Sequence, residues 1–217
     1  MAVVPSSRGG HVIETSTTAR FLILHALTVK GVASEAALAD VTGLPVDEVT
    51  GEVERLIETE HLRRRKGRIG GLALLDAGKA AHCELLPADV GDARPALDEV
   101  YEAFLPVNGR FKDLCTRWQL RGSEPNDHAD AEYDDGVVAE LAALHAEASV
   151  FLEPAGEALA RFGRYPVRLG SALERLQGGD TAAFTKPLTE SYHDVWMELH
   201  QDLLTSLGRT RDAGDEG

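Results

Sequence analysis

Cysteine is scarce in this 217-residue sequence: only Cys83 and Cys115 occur, too few for a disulfide framework, and both stand in half-apolar surroundings that suit reduced thiols. No run of about 18 apolar residues is present, which excludes a membrane-spanning helix. Arg8 is followed by no apolar stretch, so a secretory signal is not expected and a cytoplasmic protein is. Local enzyme motifs are missing too. Gly78-Lys79 is no phosphate loop, because Ala73 holds the earlier glycine position and Ala80 replaces the Ser or Thr. Gly67, Gly70 and Gly71 lack dinucleotide-fingerprint spacing, and His-Glu-x-x-His, Gly-x-Ser-x-Gly and Cys-x-x-Cys are absent. The expectation is of a non-enzyme, with no cofactor to name.

Acid is plentiful, but unevenly placed. The formal net charge is −14, yet residues 17–83 carry nine bases and nine acids, while residues 84–217 carry 12 bases and 26 acids. The acidity belongs to the C-terminal part. A neutral N-terminal module can still sit on a polyanion if its positive charge is focused on one edge.

Ser16-Thr17-Thr18 starts a helix expected over 17–29, with Phe21, Ile23, Leu24 and Leu27 grouped along it, and Gly31 ends it. Ser34 can cap a short second helix reaching Val41, and Pro45 suits the start of a third, whose buried stripe is Val49, Val53, Leu56 and Ile57. Ala39, Gly43 and Val49 have the spacing of a helix-turn-helix: a small residue where two helices touch, a glycine for a left-handed turn, and a branched apolar residue. After the third helix, 61–65 reads as a strand, Lys66-Gly67 as a tight turn and 68–75 as a returning strand, with a further helix opening at Asp76.

Three helices followed by a basic hairpin is the winged helix-turn-helix order, and residues 56–82 resemble the recognition helix, wing and exit helix of bacterial MarR-type regulators. GLALLDAGKAA stands where their Leu-Thr-x-x-Gly exit lies. Two departures are plain: little sequence precedes the first element, and the C-terminal part is long. The expected fold is mainly α, an N-terminal winged helix (three helices plus a β-hairpin wing) and then a helical bundle. The expected divisions are a flexible N-terminus at 1–16, the winged helix at 17–83, a linker at 84–96 rich in Pro and Gly, a helical sensor or dimerisation domain at 97–207, and a disordered tail at 208–217. Within the bundle, a break or kink is expected at Pro106 with Gly109, and an interruption at Pro154.

The resemblance implies double-stranded DNA as partner, a homodimer built through the C-terminal helices, and no membrane. Arg63, Arg64, Arg65, Lys66 and Arg68 would meet phosphates or a narrow groove, although a charged turn is also what solvent favours. The third helix offers Thr50 and Arg55 for base edges, but Asp47, Glu48 and Glu54 beside them suit a protein partner better, which keeps an interaction module open as the alternative. In the bundle, Asn108, Arg110, Trp118, His145, Tyr192, His193 and Trp196 have the mixed polar and aromatic character of a small-molecule effector site, and equally that of a core. His145, His193 and His200 could bind a metal, as histidines do in the helical sensors of GntR-type regulators, but the repeated Glu-x-x-His of a di-iron bundle is missing, so no metal is assigned.

Overall fold

Helix α1 (Gly10–Lys30) buries Ile23, Leu24 and Leu27 against α2 (Glu35–Thr42) and α3 (Val46–Glu58), whose inward stripe is Leu38, Val49, Val53 and Leu56. These belong to a computed structural model that describes residues 10–67 and 70–210 and divides into two compact units between Asp89 and Val90. Ser34 caps α2 through a 3.1 Å bond from the Ala37 N–H. Gly43 ends it in the left-handed conformation (φ 73°), with its N–H bonded to the Ala39 carbonyl at 2.9 Å. A side chain there would add about 1–2 kcal/mol of backbone strain. Val49 is fully buried, and Ala39 is half-buried against the same core.

The hairpin follows, β1 (Leu62–Arg65) antiparallel to β2 (Gly71–Leu74), in the register Leu62 with Leu74 and Arg64 with Leu72; Arg65 pairs with Gly71, so residues 66–70 connect the strands where a tight Lys66-Gly67 turn and a strand from 68 are expected. Ala33, between α1 and α2, adds a third strand segment by exchanging backbone bonds of 3.2 and 2.7 Å with Leu72. Helix α4 (Asp76–Val90) follows and meets α1 at His82. His25 of α1 and His82 of α4, both buried, share a 2.9 Å hydrogen bond beside the Phe21 ring.

Several expected boundaries move. Helix α1 begins at Gly10, inside the stretch read as a flexible N-terminus. The expected linker at 84–96 is helical: α4 runs to Val90, Gly91–Ala93 forms one 3-10 turn, and α5 (Arg94–Gln119) starts at once. Neither Pro106 nor Pro154 interrupts its helix; α5 and α6 (Ala131–Ala158) continue past them. Each interior proline removes one backbone donor. The carbonyls deprived by Pro87, Pro106 and Pro154 belong to Cys83, Glu102 and Val150, all exposed, so water can replace the missing N–H.

The second unit contains α5, a two-residue hairpin of β3 (Leu120–Arg121) and β4 (Glu124–Pro125) that the sequence does not announce, α6, α7 (Arg164–Gln177), the short α8 (Ala182–Thr185) and α9 (Tyr192–Leu207). Its core holds Phe104, Phe111, Phe184, Tyr192 and both tryptophans, Trp118 and Trp196. The expected tail is ordered at Arg209, which pairs with Asp98 at 2.9 Å and Glu102 at 3.2 Å and lies over the Tyr101 ring. Residues 211–217 lie outside the described residues. No helix among the described residues is long and apolar enough to cross a membrane.

Gly78, in the first turn of α4, has the hairpin root pressed against it: a Cβ there would lie 2.3 Å from the His61 carbonyl oxygen. Replacing a helical glycine by alanine ordinarily stabilises a protein by about 1 kcal/mol. Gly78→Ala is expected to reverse that sign and lower the urea midpoint of the N-terminal unit, followed by backbone circular dichroism.

Candidate nucleic-acid interface

A strand sends successive side chains to opposite faces. Leu62 and its neighbour Leu72 must be buried, so the face of β1 that carries Leu62 and Arg64 turns towards the helices, and Arg63 and Arg65 turn away. The hairpin therefore splits the arginine run. Arg64 reaches across to the start of α2 and the middle of α3, donating to Glu35 at 2.7 Å and to Glu54. Arg63, Arg65 and Lys66 are exposed and make no ion pair with a described residue. Arg68 falls outside the described residues.

Helix α3 is tied down in the same way. The Thr50 hydroxyl donates to the second Glu35 oxygen at 2.7 Å, and that bond together with Arg64 holds the Glu35 carboxyl below its ordinary pKa. Arg55 folds back on Glu52 one turn earlier. Burial raises the Glu52 pKa against the opposing pull of Arg55 and Arg20. Of the two residues expected to face base edges, Thr50 is thus occupied within the module, whereas Arg55 is paired with Glu52 but remains exposed. What α3 leaves exposed is Asp47, Glu54 and Glu58, with Val46 at its start, and one base, Arg55, whose side chain stays 60% exposed beside Glu52. Two like charges about 4 Å apart repel by roughly 1 kcal/mol in water and about 4 kcal/mol at an effective dielectric constant of 20, so three carboxylates near phosphates are a serious obstacle.

In the second unit, the residues expected to line an effector site are mostly core. Asn108 is buried, and its side-chain oxygen accepts the Trp196 indole N–H at 2.9 Å. The Tyr192 hydroxyl and His145 Nδ1 share a 3.2 Å bond, and His193 stacks on Phe111. Trp118 packs on Phe184 and His128. Arg110 does not face inward: it is exposed and donates to Glu147 at 2.6 Å. It lines a groove of about 330 Å³ between α5 and α6, with Leu114 and Leu144 in its floor and the Arg117–Glu140 pair further along. His200 packs against Phe104 and Tyr101, apart from His145 on Tyr192 and His193 on Phe111. No three His, Cys, Asp or Glu side chains among the described residues are placed to hold a metal ion. Cys115 is buried, which pushes its thiol up to about 12 and leaves it protonated and unreactive.

The sequence reading missed a buried ionic cluster between α7 and α9. Arg168 is enclosed with Glu198 at 2.8 Å and with Glu190; burial opposes its charge, but the two carboxylates outweigh that and raise its pKa. Nearby, Asp202 accepts from Arg161 and, at 2.8 Å, from the Tyr165 hydroxyl, while Ser206 accepts from Arg161 at 2.7 Å. The signal was available: Glu198, Asp202 and Ser206 recur every fourth residue along one face of α9.

Burial also lowers the pKa values of His145 and His193 below the usual imidazole value of 6.5. Below that pH the unfolded chain takes up protons that the folded one refuses, so stability falls as the pH drops through 6.5 and is regained above it. The urea midpoint of the second unit, followed by tryptophan fluorescence, is expected to be lower at about pH 5.5 than at about pH 7.5. In a His145→Gln, His193→Gln variant the difference should shrink; an unchanged difference would mean that other groups carry it. Comparison with known protein families, curated proteins and solved structures finds no match to this chain.

Proposed function

We propose that this chain is a DNA-binding transcriptional regulator, with an N-terminal winged helix-turn-helix unit in which β1–β2 is the wing. The observation that carries the reading is the outward set of Arg63, Arg65 and Lys66 at the hairpin, exposed and without an acidic partner among the described residues. Guanidinium and ammonium groups placed so can take phosphates and release counterions, which gives an otherwise anionic chain a foothold on DNA. The order of three helices and a hairpin, and the left-handed Gly43 between α2 and α3, support assignment to the broad class that includes MarR, PadR and GntR types. MarR-like is the nearest description of the module. The second unit is proposed as the dimerisation element; Val150, Val167 and Leu188 are large apolar side chains left exposed on it. A small-molecule effector belongs to the proposal only at the groove beside Arg110, since the other six residues named for it are engaged in packing.

One observation favours a second reading. The exposed face of α3 carries three acids against the single base Arg55, and Thr50 is held by Glu35, as expected of a winged helix that docks on protein instead of DNA.

Binding to a duplex measured across a salt series separates the two. Replacing Arg63, Arg65 and Lys66 by Ala together should weaken binding at every salt concentration. It should also reduce the slope of log K against log salt by roughly 2.7, about 0.9 for each phosphate no longer neutralised. Arg64→Ala should change the slope little. No affinity at about 50 mM salt would overturn the regulator reading in favour of a protein partner.

A further inference from the structure

Resting on the effector groove of the proposed function, we infer that the cleft between α5 and α6 takes a small organic cation, an ammonium on an apolar body the size of a single ring, held by Asp113. Each helix offers the groove the same spacing. On α5 it is Arg110, Asp113, Leu114 and Arg117, and on α6 it is Glu140, Ala143, Leu144 and Glu147, so each set lies along one helix face. The helices pair antiparallel: Arg110 donates to Glu147 at 2.6 Å, and Arg117 donates to both Glu140 oxygens at 2.7 Å. Two rungs of charge thus cross the groove, and between them the buried Leu114 and Leu144 make an apolar floor.

The rim between the rungs is not balanced. On the α5 side it carries Asp113, exposed and without a hydrogen bond or ion pair to a described residue; on the α6 side it carries Ala143, which has no charge to offer. The two arginines one turn from Asp113 on its own helix are drawn across to α6. The lining therefore holds three acids against two bases, and the odd acid stands beside the apolar floor. Arginine in a groove ordinarily suggests an anionic ligand. Here a carboxylate would have to draw Arg110 or Arg117 off its glutamate and would meet Asp113 as well, whereas a cation completes the middle rung and leaves both pairs in place. The ammonium goes to Asp113 and the apolar body to Leu114, Ala143 and Leu144. At about 330 Å³ the groove lies at the small end of ligand sites, which suits a single-ring amine better than a polycyclic one.

The test titrates the full chain, without DNA, with phenethylamine, which is charged at neutral pH, and with phenylacetate and phenethyl alcohol, which put an anion and a neutral hydroxyl on the same ring. The amide NMR shifts of Asp113, Ala143 and Leu144 locate the binding. Phenethylamine is expected to shift those amides and to bind about fivefold more tightly than either analogue. Asp113→Asn should remove that preference. Ala143→Lys, which puts a cation of the chain itself on the α6 rim, should block the amine without lowering the urea midpoint of the unit. Preference for phenylacetate would overturn the cation assignment and leave an effector groove standing. If the amine binds both variants as it binds the parent chain, Asp113 is not its partner and the inference fails. No shift at these amides with any of the three compounds up to about 10 mM would remove the effector groove as well, a result distinct from the loss of DNA binding, which is measured separately.

Discussion

The candidate interface depends on the alternation of one short strand. Burying Leu62 beneath the three helices fixes the parity of β1, and with it the fate of each arginine that follows. Had the register slipped by one residue, Arg63 and Arg65 would face Glu35 and Glu54, and Arg64 would project alone. An apolar side chain thus sets the electrostatics of the edge. The ion pairs that hold Arg64 are exposed and contribute only about 0.2–1 kcal/mol each to stability. Their effect is on the sign of the surface: they leave a cationic ribbon next to an anionic helix.

The second unit solves a different problem. Its long helices carry many polar groups into the interior, and these are answered in pairs: Asn108 by Trp196, Tyr192 by His145, Arg168 by Glu198, and Asp202 by Tyr165 and Arg161. Breaking one partner of such a buried pair leaves the other without compensation, at a cost of about 1–3 kcal/mol for neutral groups and more for charged ones. Since each bond has its own donor and acceptor geometry, the pairs also specify which helix faces meet. Side chains that could equally well line a cavity here act as fasteners.

Local chemistry in the sequence carried most of the fold. The Ser34 cap, the Gly43 turn and the inward stripe of α3 each follow from a few neighbouring residues, as does the existence of the hairpin, though not its turn, since Arg65 pairs with Gly71 and not with 68. Where the reading failed, the deciding partner was distant or the deciding fact was exposure. Arg64 belongs to a run of charge in the sequence, and nothing in that run announces carboxylates 29 residues earlier and 10 residues earlier converging on it. Pro106 and Pro154 read as breaks because their cost is local, while its relief, an exposed residue one turn earlier, depends on which face of the helix packs. The same holds for 84–96, where Pro87 and Gly91 suggest a loop and the helices close over them. The effector residues could not be assigned either way, because composition is the same for a pocket wall and for a packed core.

Every tryptophan and tyrosine of the sequence lies beyond residue 90: Trp118 and Trp196, Tyr101, Tyr133, Tyr165 and Tyr192. The N-terminal unit is therefore dark to ultraviolet emission, and the phenylalanine at position 21 does not alter that. An intrinsic fluorescence signal that changes when DNA is added would report an event in the helical C-terminal unit, which holds none of the arginines proposed to touch the duplex. Such a change would be a direct optical record of communication between the two units.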